Sequence, residues 1–297
     1  MAKTSKRKPY LFLGGVTGSY DSVEERGAFG GATTAFAIIF DNYAIVIDQG
    51  SGATNVIKHL RKMGIRKFHI LFTHYHSDHQ CGLQSNGLLL AKGLCQGLYG
   101  PQLKMNVIEI YDRAFNAVNW PVSPEVTGVT HSFGVFPPGS MIEIGTHGEG
   151  VTDRIKTYAL NHPGGAVAYR VPTEYGDIVI ATDHEAKDRA GHAAYADFVS
   201  GAAMLVVDIQ YRQSEFDGKT GISDTPAQSR VGWGHSSPEM IRDALTHCSV
   251  LPRTIVGVHH DPMRSVGDLK RMEREAISTF SGHNFTFGRQ NHTVEML

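Results

Sequence analysis

The segment Thr73-His74-Tyr75-His76-Ser77-Asp78-His79 places three imidazoles and a carboxylate within six residues. His74 and His76 stand two apart, so an extended backbone presents both rings on one side. Asp78 and His79 follow where the chain must turn. A helix opening there would carry them at its N-terminus. One cation can take the first pair and a second cation the next. Neutral imidazoles suit zinc, and a carboxylate in the set suits another divalent ion. The bland alternative, a solvated histidine-rich loop, explains this spacing at a strand end poorly. The chain holds 16 histidines, so the question is whether others converge on this cluster.

The elements that must position the cluster are mostly strands. Lys67–Phe72 is an apolar run that leads straight into it. Before it come strands Tyr10–Leu13, Ala35–Phe40 and Tyr43–Asp48. A helix over Ala53–Met63 has Val56, Ile57, Leu60 and Met63 at helical spacing and Gly64 as its left-handed cap. Gln84–Leu94 reads as a helix weakened by Gly87 and Gly93. Asn106–Tyr111 reads as a strand and Pro121–Pro138 as a turn-rich loop. Short strands follow at Met141–Ile144, Arg154–Leu160, Ala166–Val171, Asp177–Ala181, Met204–Ile209 and Thr254–Val258. Ser236-Ser237-Pro238-Glu239 opens one late helix with a Ser cap and Pro in the first turn, and Ser265–Phe280 forms another. The pattern predicts two sheets covered by helices rather than one parallel sheet. No dinucleotide fingerprint and no phosphate-binding P-loop is present.

Composition narrows the function classes. Of the residues, 41% are apolar and 19% charged, with a net charge of −1, so a broadly basic nucleic-acid surface is not indicated. Three cysteines cannot form a disulfide framework, and a reducing compartment is expected. No apolar run reaches the roughly 18 residues of a membrane span, and Tyr10–Leu13 is too short for a signal segment. These features predict a cytoplasmic protein with no membrane partner. Residues 1–9 read as a flexible basic tail and 10–297 as a single domain.

His-x-His-x-Asp-His after an apolar strand resembles the metallo-β-lactamase fold superfamily. Three further motifs occur in the order of that superfamily, each at a strand end: Leu160-Asn161-His162-Pro163-Gly164-Gly165, then Ile180-Ala181-Thr182-Asp183, then Val258-His259-His260-Asp261-Pro262. The resemblance implies an α/β fold, an αββα sandwich of two mixed sheets flanked by helices, with residues 10–297 as one metallo-hydrolase domain. It implies His74, His76 and His162 on one metal, Asp78, His79 and His259 on the other, and Asp183 bridging. The ions would be two divalent metals, zinc first, with manganese or iron as alternatives. His260 is the competing last ligand; the ligand's place three residues before Pro262 favours His259.

An Asp at 183 and a His at 76 resemble the phosphodiesterase branch, which includes ribonuclease Z and cyclic-nucleotide phosphodiesterases. Gly234-His235-Ser236-Ser237 resembles that branch's additional catalytic His motif. The resemblance therefore implies Asp78 and His235 as catalytic groups, hydroxide attack on phosphorus, and protonation of the leaving oxygen by His235. The segment between His162 and Asp183 has room only for a strand pair, so the tRNA-gripping insert is missing and tRNA is a disfavoured partner. A small phosphodiester is expected, such as a cyclic nucleotide or cyclic sugar phosphate. A lactonase or thioester hydrolase with the same ligands is the alternative, ranked above a tRNA 3′-processing endonuclease or a non-catalytic metal-bound scaffold. A homodimer is compatible with this branch. Lesser candidates are Tyr211 as a pocket wall, Asp48 as a support for a ligand His, Arg170 as a phosphate contact or an ordinary surface strand residue, and His184 and His192 on a rim loop.

Overall fold

The computed structural model describes residues 8–297 apart from 88, 90, 123, 147–150 and 188. Most of the expected basic tail and His147 lie outside the described residues. Strands β1 (Tyr10–Gly15), β2 (Ala35–Ile39), β3 (Tyr43–Ile47), β4 (Lys67–Leu71), β5 (Cys95–Pro101) and β6 (Phe133–Phe136) form one sheet. The second contains β7 (Met141–Thr146), β8 (Val151–Leu160), β9 (Ala166–Val171), β10 (Ile178–Ala181), β11 (Met204–Asp208), β12 (Thr254–Val258) and β13 (Asn284–Phe287). The last strand, β14 (His292–Glu295), returns to the first sheet beside β1. Both sheets are mixed, with antiparallel pairs such as β2–β3 and β9–β10 and parallel pairs such as β3–β4 and β10–β11. The helices are α1 (Ala53–Met63), α2 (Val107–Phe115), α3 (Arg189–Val199), α4 (Gln213–Phe216), α5 (Pro238–Leu245) and α6 (Val266–Thr279).

Strand alternation explains the layering. In β1, Leu11 and Leu13 enter the core between the sheets, where they join Ile45, Ile47, Ile180 and Val256. Tyr10 and Phe12 face the opposite way, into a core with Val56 and Leu60 of α1. On the far side, Leu205 and Val207 meet Ile241, Leu245, Leu269 and Met272 from α5 and α6. Both faces of each sheet are thus covered, which is why the inner strands are apolar at nearly every position. Burying one such large aliphatic side chain stabilises by about 1.5–3 kcal/mol. The architecture is an αββα sandwich of two mixed sheets.

Several sequence readings need correction. Asn106–Tyr111 is not a strand. Asn106 caps α2, accepting from the Ile108 and Glu109 amides, while Glu109 bonds back to the Asn106 amide. That capping box outweighs the strand preference of Val107 and Ile108. The segment Pro121–Pro138 contains a short 3₁₀ turn at Pro124–Thr127 and the edge strand β6. Between Gln84 and Leu94 the described residues form turns, not a helix. The cap of α5 is Ser237, whose hydroxyl accepts from the Met240 amide; Ser236 instead bonds the Ala186 amide and the His184 carbonyl. Among the described residues no helix is long and apolar enough to cross a membrane.

Candidate metal centre

The C-terminal ends of β3, β4, β8, β10, β11 and β12 deliver Asp48, the 73–79 segment, His162, Asp183, Asp208 and His259 to one edge of the sandwich. Asp48, Asp183 and His259 have φ of 60°, 59° and 63°. A left-handed residue there turns the chain sharply as it leaves the strand. For a non-glycine such backbone costs roughly 1–3 kcal/mol and clusters at functional sites. Asp78 and His79 fall in a 3₁₀ turn, Ser77–His79, rather than at the start of a regular helix.

Three overlapping groups of side chains converge. His74, His76 and His162 form one, and Asp78, His79, Asp183 and His259 another; Asp183, Asp208, His235 and His259 form a third; within each, the donor atoms lie within 4.8 Å of one another. His162 Nε2 is 2.9 Å from His76 Nδ1. His79 Nε2 lies 3.4 Å from Asp78 Oδ2 and 3.3 Å from Asp183 Oδ1. His259 Nε2 lies 3.3 Å from both Asp78 Oδ2 and Asp183 Oδ2. Asp183 Oδ2 is also 3.8 Å from His74 Nε2 and 3.9 Å from His162 Nε2, so this carboxylate sits between the groups. His260 turns away: its Nε2 bonds the Gly288 carbonyl and its ring stacks on Phe287.

A second layer fixes which nitrogen of each ring carries the proton. Asp48 accepts from the Thr73 amide and hydroxyl at 2.7 Å each, and from His79 Nδ1 at 2.8 Å. Because the Thr73 hydroxyl donates to Asp48, it accepts from His74 Nδ1 at 3.1 Å. His162 Nδ1 donates to the Gly234 carbonyl and His259 Nδ1 to Gln210 Oε1. In all four rings Nδ1 is thereby the donor, so in the neutral ring Nε2 carries the inward lone pair. Such partners orient metal-binding histidines. His74 Nε2, His79 Nε2 and Asp183 Oδ1 are buried without a hydrogen bond. Inward lone pairs on buried imidazoles, beside carboxylates, fit a pair of divalent cations.

The electrostatics agree. Burial alone would lower His79 and His259, but the Asp183 and Asp78 carboxylates outweigh it; His79 is raised well above its ordinary value and His259 to about 9. Asp183 and Asp78 are held below the carboxylate range despite burial, by His259 and His79. Burial pushes His162 down to about 4 and lowers His74 and His76. A cation would replace the protons that His79 and His259 otherwise carry.

His235 stacks on His259 with ring centroids 4.8 Å apart, and its Nδ1 donates to Asp208 Oδ2 at 2.5 Å. Its Nε2 makes no hydrogen bond among the described residues. Glu185 holds the preceding turn by accepting from the Gly232 and Gly234 amides at 2.8 and 3.0 Å. Gly234 has φ of 87°, and a Cβ there would sit 2.2 Å from His162 Nδ1. His235 and Tyr211 line a cavity of about 470 Å³. On the other side, His74 and His76 open onto a cleft of about 510 Å³ with Lys104 and Arg113 beside it.

Three sequence candidates fall elsewhere. Arg170 pairs with Asp177 at 2.5 Å and the Phe198 and Ser200 carbonyls. Of the two histidines expected on a rim loop, His184 is on the loop between β10 and α3 but His192 is not. His184 is buried against Tyr195 and accepts from the Asn161 amide, and His192 lies in α3, bonded to the Ala186 carbonyl. Sequence reasoning missed Thr73, Asp208 as the partner of His235, and Gln210 as the partner of His259. Asp208 carried a signal: like Asp48, it is an acid ending an apolar strand.

No protein-family model and no curated protein matches the sequence. Solved structures do. The metallo-β-lactamase fold protein YhfI from Bacillus subtilis is 14% identical, covering 97% of this chain and 100% of that one, with a TM-score of 0.65. A diphosphatase of the PhnP family is 13% identical over 98% of each chain, with a TM-score of 0.64. The short form of human tRNase Z is 16% identical over 97% of this chain and 99% of that one, with a TM-score of 0.61. Identities this low carry the architecture and not the reaction. With its two seven-stranded sheets and its site at their shared edge, the chain has the metallo-β-lactamase fold.

Proposed function

We propose that the chain is a binuclear metal-dependent phosphodiesterase acting on a small phosphodiester, such as a cyclic nucleotide or cyclic sugar phosphate. The observation that carries this reading is the Asp208–His235 pair beside the two ligand groups and facing a cavity. Under it, His74, His76 and His162 hold one zinc, or manganese or iron, and Asp78, His79 and His259 the other, with Asp183 shared. Bound there, two divalent ions supply Lewis acidity toward phosphoryl oxygens and a hydroxide nucleophile at neutral pH.

The protein's own part is positioning and proton transfer. Asp208 fixes the His235 tautomer and stabilises the imidazolium, as the carboxylate of a His–Asp pair does. His235 Nε2 donates a proton to the leaving oxygen, and Tyr211 walls the same cavity. General-acid help of this kind is worth roughly 10²–10⁴-fold. A small substrate is favoured because only residues 172–177 join β9 to β10, leaving no arm for a tRNA. A PhnP-family diphosphatase among the fold neighbours is compatible with phosphorus chemistry.

The test combines metal analysis with hydrolysis of bis(p-nitrophenyl) phosphate and a lactone panel, for wild type and His235→Ala. Two metals per chain and diester turnover that collapses in the variant are expected. Lactone turnover indifferent to His235, with no diester activity, would replace this reading with a carboxylic ester hydrolase.

A further inference from the structure

Arg230 is a buried cation that the chemistry above does not use. Its residue is 6% exposed and shares the cavity of His235. Its guanidinium lies over Trp233 with 4.5 Å to the ring centroid, and 5.9 Å from that of Tyr211. Its one side-chain hydrogen bond among the described residues runs from Nη1 to the Gln228 carbonyl at 2.9 Å. No carboxylate among the described residues lies within 4.0 Å of it. Arg264, which is fully buried, instead pairs with both Glu215 and Asp268. Buried charges are normally paired, so an unpaired one facing a cavity calls for an anion from outside.

Other charges in that cavity do not fill the role. Asp261 lines it, but its carboxylate accepts from the Met263 amide and lies in the field of Arg26 and Arg264. His235 is committed to Asp208. Lys104 and Arg113, in the opposite cleft, are exposed and screened by water.

Resting on the phosphodiesterase reading, we infer that Arg230 binds a second phosphate carried by the leaving portion of the substrate. A leaving oxygen protonated by His235 draws the group attached to it into the cavity His235 lines, where Arg230 waits. Its free edge offers donors in a planar fork that suits phosphate oxygens. The stack on Trp233 holds that fork before ligand arrives.

Isothermal titration of the metal-loaded chain with adenosine 3′-phosphate and adenosine 3′,5′-bisphosphate tests this. Wild type should bind the bisphosphate roughly tenfold more tightly or better, the worth of a charge-assisted hydrogen bond. Arg230→Gln should bring the ratio near one with 3′-phosphate affinity and melting temperature unchanged. Lys104→Ala/Arg113→Ala should keep the wild-type ratio. If Arg230→Gln is destabilised, Arg230→Lys decides, since it keeps the charge without the fork and should cut the ratio several-fold. A wild-type ratio near one, a ratio that survives substitution of Arg230, or one lost only in the double variant overturns the inference. Diester turnover is measured separately: turnover without the preference sinks only this inference, and preference without turnover sinks only the catalytic reading.

Discussion

Asp48→Asn should weaken one metal site more than the other. The Asp48 side chain is fully buried and accepts three hydrogen bonds, two from Thr73 and one from His79. Asparagine has the same shape and tolerates the left-handed backbone at 48. If its oxygen keeps the Thr73 amide, its NH₂ faces the Thr73 hydroxyl and His79 Nδ1. The hydroxyl can turn and accept. His79 must move its proton to Nε2, the atom 3.3 Å from Asp183 and 3.4 Å from Asp78. That nitrogen then has no lone pair for a cation. Replacing such an orienting partner costs about 10–100-fold in metal affinity, or about 1.4–2.7 kcal/mol. Folding stability of the metal-free chain should fall less, by about 1 kcal/mol. A lost charge-assisted bond is there partly offset, because burial raises the Asp48 carboxyl and removing its charge relieves that cost. Competition with a fluorescent zinc chelator, fitted to two sites, measures the effect. The site of His74, His76 and His162 should weaken less, since only the Thr73 hydroxyl links Asp48 to His74 Nδ1. Equal weakening of both sites, or of neither, would refute the tautomer reasoning and leave Asp48 as a tie between strand ends.

Asp208→Asn should lower diester kcat roughly 10²–10⁴-fold with metal stoichiometry unchanged, because only the His235 proton is mis-set; steady-state kinetics beside metal analysis reads both. Gly18→Ala would put a Cβ 2.3 Å from His259 Cε1 and displace the ring from Gln210, so zinc affinity at that site should drop about tenfold or more by chelator competition. In the metal-free chain His259 stays protonated up to about pH 9. Metal binding displaces that proton, so apparent affinity should fall about tenfold per pH unit below 9, with a further contribution from His79. Calorimetry in buffers of different ionisation enthalpy counts the protons released, and a count of zero contradicts the assigned charge states.

The sandwich was legible wherever strands are covered on both faces. Ala35–Ile39, Tyr43–Ile47 and Met204–Asp208 are apolar at nearly every position, and only a doubly covered strand needs that. Edges were not legible. Asn284–Phe287 and His292–Glu295 are short and half polar, and they pair because an inner strand offers them its backbone. Cys95–Pro101 holds two glycines and a proline, yet it is a strand because β4 and β6 flank it. The α3 segment, rich in alanine, gave no clear apolar stripe.

The site divided along a different line. The candidate ligand types and their order could be read because they are chemical identities that survive in one dimension. Asp48 could be read as a support, but the roles of Thr73, Gln210 and Asp208 could not, because they act through distances across the fold. Nor could the three left-handed strand ends, since Asp and His, unlike Gly, adopt that backbone only occasionally. Yet these hidden features set the energy of the site. Without a cation, strained backbone at Asp48, Asp183 and His259 coexists with lone pairs turned inward and carboxylates held charged by protonated imidazoles. A dication relieves the electrostatic part of that cost only in the folded chain. Metal affinity and folding stability are therefore linked at this edge of the sandwich. Displacing the His259 ring, as Gly18→Ala does, should lower both together, whereas substituting Arg230 should lower neither.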